Sequence, residues 1–185
     1  MTKAQLTVLA GPTAVGKGTV VAALTKRFPT LNVSISATTR DPRPGELNGV
    51  HYYFVSPQEF DAMIERGDML EWALVHGKNK YGTPRGPVDD ALAAGKPVLL
   101  EIDLAGARQV RSTRPDAQFI FLAPPSWEEL EHRLIGRGTE SPEEQARRLA
   151  TARVELEAAS EFDHVVINDD VERAVDELAR LIGLE

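Results

Sequence analysis

Residues 11–19 carry the residue types and spacing of a phosphate-binding loop. They follow an apolar run, Leu6–Ala10, and precede an amphipathic segment, so they connect a predicted strand to a predicted helix. Gly11 and Gly16 lack side chains, which lets the backbone wrap an anion with its N–H groups pointing inward. Lys17 adds a mobile positive charge that can reach the β- and γ-phosphates of a nucleotide. The pattern predicts nucleotide phosphate binding and not merely a glycine turn. The loop residues expected at this site are Gly11, Pro12, Thr13, Ala14, Val15, Gly16, Lys17, Gly18 and Thr19.

The position after the lysine departs from the common form of this loop. Gly18 stands where a serine or threonine usually follows, and the hydroxyl comes one place later, at Thr19. The usual hydroxyl binds Mg²⁺ directly. We therefore expect Mg²⁺ to contact this loop through water.

Composition excludes several classes of protein. The 185 residues are 42% hydrophobic and 26% charged, which is typical of one globular domain with its own core. There is no cysteine, so disulfides, thiol catalysis and cysteine-ligated zinc are excluded. No apolar run approaches the length of a membrane span, and the first strand begins so early that we expect no signal peptide. The net charge of −7 argues against a general nucleic-acid-binding surface.

Short apolar runs alternate with helical patterns along the chain. Such runs are typical of strands buried on both faces of a parallel sheet. The predicted strands are Leu6–Ala10, 33–37, 98–102, 119–122 and 165–167. The predicted helices are 19–28, 88–94 and Val171–Ile182, with further helices starting at capping boxes on Ser56, Ser126 and Ser141. The alternation predicts an α/β fold with a doubly wound parallel sheet and a P-loop.

Two segments interrupt the alternation and predict insertions into this core. Residues 38–83 contain three consecutive aromatic residues, one helix and a further apolar stretch, which predicts a small inserted lobe with a mixed, β-rich structure. Residues 126–159 contain two capped helices joined by the polar loop 136–140, which predicts a helical lid. The core of this single domain would comprise residues 1–37, 84–125 and 160–185.

The segment at the entrance of the lobe, residues 36–54, is rich in groups that bind phosphate. Arg40 and Arg43 are three residues apart, and Pro42 fixes the turn between them. A guanidinium group can donate two parallel hydrogen bonds to two oxygens of one phosphate. A nearby hydroxyl, such as that of Tyr52, can complete a second phosphate site. Taken alone, this segment is equally compatible with a solvated basic loop.

Taken together, these motifs resemble the guanylate kinase family. One part of the resemblance is the glycine loop with the Ser-x-Thr-Thr-Arg-x-x-Arg-x-Gly-Glu-x-x-Gly-x-x-Tyr segment that begins at Ser36. Further matches are Glu-Ile-Asp at 101–103 with Gly106, Gly-Arg-Gly-Thr-Glu at 136–140, and Val-Ile-Asn-Asp-Asp at 166–170. The matches run in order along nearly the whole chain, and the long segment is very specific. The family usually has glycine where this chain has Ala14, and we expect a mild effect because alanine accepts most helical and extended backbone angles.

The resemblance implies that the lobe holds GMP. The residues implied to hold the GMP phosphate are Ser36, Arg40, Arg43, Tyr52 and Tyr81. Glu71, Thr83 and Asp103 would read the guanine. A carboxylate accepts the adjacent N1–H and N2–H donors of guanine, and a threonine hydroxyl can donate to O6. Adenine presents the reverse pattern at this edge, so Glu71 would select against it.

The resemblance also implies which residues act on ATP. Arg137 and Arg148 match the family's lid arginines, which close over the triphosphate, and Arg133 is a third candidate. Asn168 matches a residue near the adenine of ATP. The expected catalytic residues are Lys17, Arg40, Arg137 and Arg148. The implied cofactor is Mg²⁺, bound with ATP and held by phosphates and waters near Thr19 and Asp103.

The activity that the resemblance implies is transfer of the γ-phosphoryl group of ATP to GMP, and to dGMP, in purine nucleotide metabolism. Two alternatives stay open. One is another small-molecule P-loop kinase, which Glu71 and the paired arginines disfavour. The other is a guanylate-kinase-like binding module, which the intact glycine loop disfavours. We expect GMP and ATP as partners, no nucleic acid or membrane, and a cytoplasmic location, while the oligomeric state is not predicted.

Overall fold

The computed structural model describes residues 3–136 and 138–184 of the chain. Strands and helices alternate along most of it, and a short 3₁₀ turn at Ala158–Glu161 follows the sixth helix. In chain order the elements are β1 (Leu6–Ala10), α1 (Lys17–Arg27), β2 (Asn32–Val33), β3 (Ala37–Thr38), β4 (Tyr53–Phe54), α2 (Pro57–Glu65), β5 (Met69–Val75), β6 (Asn79–Pro84), α3 (Arg85–Ala93), β7 (Val98–Glu101), α4 (Leu104–Thr113), β8 (Gln118–Ala123), α5 (Trp127–Ile135), α6 (Pro142–Glu157), β9 (His164–Ile167) and α7 (Val171–Ile182).

The main sheet has the strand order β2-β7-β1-β8-β9, and all of its pairings are parallel. β1 lies at its centre, where Val8 pairs with Leu100 of β7 on one side and Phe119 of β8 on the other. Every residue of β1 and β8 is buried, as expected for strands covered by helices on both faces. The predicted α/β fold with a doubly wound parallel sheet is confirmed.

Helices supply an apolar layer on each face of this sheet. On one face, Leu24 of α1 and Leu178 of α7 pack into a cluster with Leu9 of β1. On the opposite face, Val110 of α4 packs into a cluster with Phe119 of β8. All five side chains are almost completely buried, and each contributes about 1.5–3 kcal/mol relative to an exposed position. Because side chains alternate along β1 and β8, these two strands contribute residues to both apolar layers. This packing holds the carboxyl ends of the strands in place.

The predicted strand over residues 33–37 is wrong as a single strand, because the chain crosses here from the main sheet to a second one. The Ser34 N–H donates to the carbonyl of Leu99 in the main sheet at 3.0 Å. Two residues later, the carbonyl of Ser36 accepts from the Tyr53 N–H in the second sheet at 2.9 Å. The segment resembles one strand in sequence because both of its ends pair in a sheet, although in different sheets.

The second sheet has the order β4-β3-β6-β5 and is mixed. β3 pairs parallel with β4 and antiparallel with β6, and β6 pairs antiparallel with β5. Phe60 of α2 is fully buried against Ala37 and Met69, so this sheet has a small core of its own. The structure therefore contains the mixed sheet that the sequence predicts between the second and third strands of the core.

Each predicted serine N-cap accepts a hydrogen bond from the backbone N–H three residues later. At Ser141 the cap is a complete capping box, since the glutamate three places on also accepts from the Ser141 N–H at 3.1 Å. At Ser56 and Ser126 the corresponding glutamates bond Arg66 and Arg133 instead. The capping-box prediction is wrong for these two helices, although the caps themselves are correct.

The helices α5 and α6 pack against each other through Leu130, Leu134 and Ala152. The guanidinium of Arg153 lies 3.9 Å from the ring centroid of Trp127, which adds a cation–π contact to the same pair. In the part of the chain that the structure describes, no helix combines the length and apolarity needed to cross a membrane. Below, the lobe means residues 38–83 and the lid means residues 126–159; the boundaries of both stay predictions.

The turn between β1 and α1 holds Ala14 at a φ of 68°, in the left-handed region of backbone conformation. The expectation of a mild effect assumed a helical or extended angle and is wrong. An L-residue with a Cβ atom costs roughly 1–2 kcal/mol in this region because the Cβ crowds the following carbonyl. Gly16, at a φ of 95°, adopts the same region without that penalty.

We expect Ala14→Gly to raise the free energy of unfolding by up to about 1 kcal/mol, since the relief of the strain exceeds the entropy that glycine adds to the unfolded chain. Urea denaturation of the ligand-free protein measures it. Ala22→Gly, at an exposed position inside α1, is the matched control and should lower stability by about 0.5–1 kcal/mol. A loss of similar size in both variants would contradict the strain assigned to Ala14.

Candidate active site

The glycine loop lies against the carboxyl ends of the neighbouring strands, and two of its glycines are required by this contact. A Cβ on Gly11 would stand 2.4 Å from the carbonyl oxygen of Leu122 in β8. A Cβ on Gly16 would stand 2.8 Å from the side-chain nitrogen of Asn168, just beyond β9. Larger residues would push the loop away from the sheet. The positions predicted from the sequence thus have a steric cause.

Lys17 begins α1 and reaches back across the loop. Its Nζ donates to the carbonyls of Gly11 at 3.2 Å and of Ile102 at 3.3 Å. Burial lowers the pKa of Lys17, and three nearby carboxylates oppose that shift. The two carbonyls hold the ammonium group above the loop, where an anion in the loop would meet it.

The carboxylates that act on Lys17 come from three different elements: Glu101 ends β7, Asp103 caps α4, and Glu155 lies on α6 of the lid. The Asp103 carboxylate accepts the backbone N–H of Gly106 at 2.8 Å. Burial raises the pKa of Glu155, and the charge of Lys17 opposes that rise. The lid therefore places a carboxyl group close to the glycine loop.

The oxygen donors beside the loop fit Mg²⁺, which prefers carboxylate, hydroxyl, phosphate and water ligands. Thr19 is exposed in the first turn of α1. The Glu101 carboxylate lies 4.0 Å from the place where a Cβ would stand on Gly18, so this glycine leaves room between the acid and the helix. Glu101 joins Thr19 and Asp103 as a group that could hold the waters of a nucleotide-bound ion.

The carbonyl of Val15 joins the loop to two residues expected on the ATP side. Asn168 donates its side-chain amide to this oxygen at 2.8 Å, and Arg133 donates from Nη1 at 3.3 Å. Asn168 is 5% exposed, and Arg133 is also bound to Glu129 at 2.8 Å. Both residues therefore brace the loop in the ligand-free protein, and their contacts with adenine stay a prediction.

The residues expected to read guanine meet where the lobe faces the core. Glu71 on β5 and Thr83 on β6 are cross-strand partners, and the Thr83 hydroxyl donates to Glu71 Oε1 at 2.7 Å. Glu71 Oε2 and Asp103 Oδ1 each lie 3.1 Å from the place where a Cβ would stand on Gly106. Two carboxylates thus approach the same point at the start of α4, and Gly106 gives them the space.

The Glu71 carboxylate is held in an environment that disfavours its charge. Burial raises the pKa of Glu71, the hydrogen bond from Thr83 opposes the rise, and the negative charge of Asp103 adds to it. A ligand that offers two adjacent N–H donors would compensate this carboxylate. The site is therefore suited to a base edge with paired donors.

The residues expected to hold the acceptor phosphate gather around Arg40. The ring centroid of Tyr52 lies 5.3 Å from the Arg40 guanidinium and 6.0 Å from the ring centroid of Tyr81. Arg40 is bound by both carboxylate oxygens of Glu46, at 2.8 and 3.0 Å. Arg43 lies on the exposed loop nearby, where its backbone N–H donates to the same glutamate at 2.7 Å. Ser36 directly precedes β3, and β3 pairs with β6, the strand that carries Tyr81.

The lid faces the glycine loop across a cavity of about 320 Å³. Arg148 of α6 lines this cavity together with Thr13 and Ala14 of the loop. Arg148 is paired with Glu140 at 2.7 Å, and the other oxygen of that carboxylate is buried without a hydrogen-bond partner among the described residues. Arg137, the other expected lid arginine, lies outside the described residues.

Three acidic residues near the expected site were given no role by the sequence reasoning. Glu46 and Glu140 hold the arginines 40 and 148, and Glu101 faces the loop. Glu46 and Glu101 stand inside the family segments, but their contacts depend on how the chain folds back on itself. A carboxylate six or eight residues from an arginine lies outside the i,i+3 and i,i+4 spacings at which side chains pair on a helix, so the spacing alone did not indicate either pair.

A P-loop on a parallel sheet, with a buried carboxylate–threonine pair beside the core and Arg148 across a cavity from the loop, is the arrangement expected of a nucleotide kinase. Comparison with known proteins identifies the family of nucleotide kinases. The family described as guanylate kinase matches residues 3–185, and the chain belongs to that family of ATP-dependent nucleoside monophosphate kinases.

Individual relatives agree with this assignment. The guanylate kinase of Cutibacterium acnes is 60% identical over 177 residues, which are 96% of this chain and 89% of the relative. That of Thermobifida fusca is 60% identical over 179 residues, covering 97% and 91%. The crystal structure of guanylate kinase from Anaplasma phagocytophilum superposes with a TM-score of 0.74 at 31% identity, covering 99% of this chain and 86% of that one.

We expect Glu71→Gln to raise the melting temperature of the ligand-free protein near neutral pH, because it removes a buried charge while its amide oxygen can still accept from Thr83. Folding raises the pKa of Glu71 above its usual 4.5, so the folded protein binds this proton more readily than the unfolded chain. The penalty is present at neutral pH and is lost as the pH falls through the raised pKa.

The measurement is a series of melting temperatures for wild type and Glu71→Gln from neutral pH down to about pH 4.5. The difference between the two proteins should shrink on acidification. Glu65→Gln, an exposed position on α2, is the control and should follow wild type throughout. A Glu71→Gln variant that is less stable at neutral pH would show that the charge is compensated in the ligand-free site.

Proposed function

We propose that this protein transfers the γ-phosphoryl group of ATP to GMP, giving ADP and GDP, with the residues in the roles described below. The observation that carries the proposal is the meeting of Glu71, Thr83 and Asp103 at the lobe–core boundary, beside a glycine loop with its lysine in place. The assigned contacts involve the base and the phosphate and none involves the ribose, so dGMP is included as an acceptor.

Selection of guanine follows from the hydrogen-bonding pattern of the base. Glu71 would accept N1–H and N2–H, with Asp103 as the second acceptor close by, and Thr83 would donate to O6. Adenine presents an unprotonated N1 to the same carboxylate and would leave a buried charge without a donor. Sites built in this way reject the wrong partner strongly, because the penalty of an unpaired buried polar group is added to the lost bonds.

Transfer needs an aligned acceptor and positive charge around the moving group. An oxygen of the GMP phosphate attacks the γ-phosphorus in line, a new P–O bond forms, and the bond to the β–γ bridging oxygen of ADP breaks. Lys17 would stabilise charge on the β- and γ-oxygens, and Arg148 would add charge from the lid on closure. Mg²⁺, when bound, would neutralise part of the phosphate charge, with Thr19, Glu101 and Asp103 holding its waters.

Two alternatives are less well supported by the same geometry. A kinase for another small acceptor would have no use for a buried carboxylate paired with a threonine hydroxyl at the base site. A binding module would have no use for a lysine held over an intact glycine loop. The absence of cysteine from the sequence is compatible with the reducing cytoplasm that we propose as its location.

The test is a coupled assay of ADP release with GMP, dGMP, AMP, UMP and TMP as acceptors. GMP should have the highest kcat/KM, and AMP should be lower by a factor of about 10³ or more. Comparable values for AMP would contradict the role of Glu71. No ADP release with any acceptor would contradict the enzyme and favour the binding module.

The arginines of the lobe and the lid should separate by role. Arg43→Ala should weaken GMP binding in the absence of ATP by about tenfold or more, since a charge-assisted phosphate contact is lost. Arg148→Ala should leave that binding within about twofold and lower kcat at least tenfold, because its contact forms on closure and in the transition state. Calorimetric GMP titration and steady-state rates measure the two effects.

Arg66→Ala is the control for this comparison, because Arg66 is an exposed arginine of the lobe that pairs with Glu59 and Asp68. It should change neither quantity. Equal losses of GMP affinity in the Arg43 and Arg148 variants would mean that the lid does not act separately from the acceptor site.

A further inference from the structure

The Glu46 carboxylate binds Arg40 through one particular edge of its guanidinium. Nη1 donates to Oε1 at 2.8 Å and Nη2 donates to Oε2 at 3.0 Å, so the acid occupies the end of the group. Nη1 also donates to the carbonyl of Asp41 at 3.0 Å. The two side chains are 14% and 18% exposed, and the Arg40 hydrogen bond lowers the pKa of Glu46 to about 2.

These contacts leave one edge of the guanidinium that can still donate two hydrogen bonds. A guanidinium has five N–H donors in a fixed plane, and the bonds to Glu46 and Asp41 use both N–H groups of Nη1 and one of Nη2. What remains is Nε–H and the outer N–H of Nη2, which lie side by side and match two oxygens of a phosphate. Among the described residues, the side-chain hydrogen bonds of Arg40 are those to Glu46 and Asp41, and neither remaining donor takes part in them. The nearby Tyr81 hydroxyl helps, after Glu46, to raise the pKa of Arg40.

The plane of the guanidinium is fixed by rings as well as by the acid. Its central carbon lies 5.3 Å from the ring centroid of Tyr52 and 5.9 Å from that of Phe54. The rings limit tilt, and the two bonds to Glu46 limit rotation within the plane. An ion pair near the surface is ordinarily worth little to stability, so the value of this one lies in the orientation that it imposes.

Glu46 also ties Arg40 to the second arginine of the loop. Its Oε1 accepts the Arg43 backbone N–H at 2.7 Å, and its own N–H donates to the Arg43 carbonyl at 3.0 Å. The turn between them contains Gly45 at a φ of 86°, a conformation that favours glycine. One carboxylate thus fixes the side chain of Arg40 and the backbone that carries Arg43.

We propose that Glu46 is a positioning residue for the acceptor phosphate. It holds Arg40 so that the Nε–Nη2 edge points to the phosphate, and it keeps Arg43 at a fixed separation from that edge. The inference rests on the proposed function, because it takes the monophosphate of GMP as the ligand of these arginines. In this account Glu46 stays bound to Arg40 when the phosphate arrives and is not displaced by it.

The test is the steady-state kinetics of Glu46→Gln. One carboxylate oxygen becomes an amide that cannot accept from Nη2, so the KM for GMP should rise about tenfold. The kcat should stay within about threefold and the KM for ATP should be unchanged, because the phosphate is still transferred once bound. Glu59→Gln is the matched control, since it removes a carboxylate from the Glu59–Arg66 pair of the same lobe and should change none of these constants.

A double-mutant cycle with Arg40→Lys shows whether Glu46 acts through Arg40. Lysine has no second edge to orient, so Glu46→Gln should add less than about twofold to the KM for GMP in that background. Glu46→Asp keeps the charge but shortens the side chain, and we expect it to give an intermediate KM for GMP. This variant replaces Glu46→Gln in the test if Glu46→Gln folds poorly. An unchanged KM in both Glu46 variants, or the same increase in the wild-type and the Arg40→Lys backgrounds, would overturn the inference alone. A wild-type protein without GMP turnover would overturn the proposed function instead.

Discussion

The register between β1 and its two neighbours is the constraint on which the rest of the site depends. Leu9 pairs with Glu101 of β7, and Ala10 pairs with Phe121 of β8. These pairings bring Ile102 within reach of Lys17 and place the end of β8 against Gly11. Because side chains alternate along a strand, a slip of one residue would exchange the two buried layers and move the charged strand ends away from the loop.

Several features of the site lower the stability of the ligand-free protein, and they lie where nucleotides are expected. Ala14 is strained, Lys17 and Glu71 carry charge in partly desolvated positions, and Glu140 has a buried oxygen without a partner among the described residues. An anion in the glycine loop would compensate Lys17, and a ligand with paired N–H donors would compensate Glu71. Local penalties of this kind are expected where binding and catalysis compete with stability.

Local signals in the sequence were sufficient for much of the fold. The largely apolar runs of β1 and β8, and the serine caps of α2, α5 and α6, are signals contained within a few consecutive residues. They failed at residues 33–37, because hydrophobicity shows that a segment is buried but not which sheet it joins. They failed again at Ala14, whose left-handed conformation is imposed by the loop that surrounds it.

The residues proposed to read the base and bind the phosphate were predictable only as part of a long family pattern. Glu71 and Thr83 look ordinary in sequence, and they meet because β5 and β6 are antiparallel partners with one particular register. Likewise, Arg40 and Arg43 could be taken for solvated charges until Glu46 and Tyr52 are seen around them. Tertiary contacts decide which acid pairs with which arginine, and for that reason Glu46 and Glu140 were missed.

The central claim is that Glu71 reads guanine while Arg40, still held by Glu46, receives the phosphate on its free edge. A crystal structure of the protein with GMP tests both parts at once. We expect N1 and N2 of guanine within hydrogen-bond distance of the Glu71 carboxylate, and phosphate oxygens bound to Nε and Nη2 of Arg40 with both bonds to Glu46 intact. A phosphate that displaces Glu46 from Arg40, or a guanine that does not contact Glu71, would contradict it.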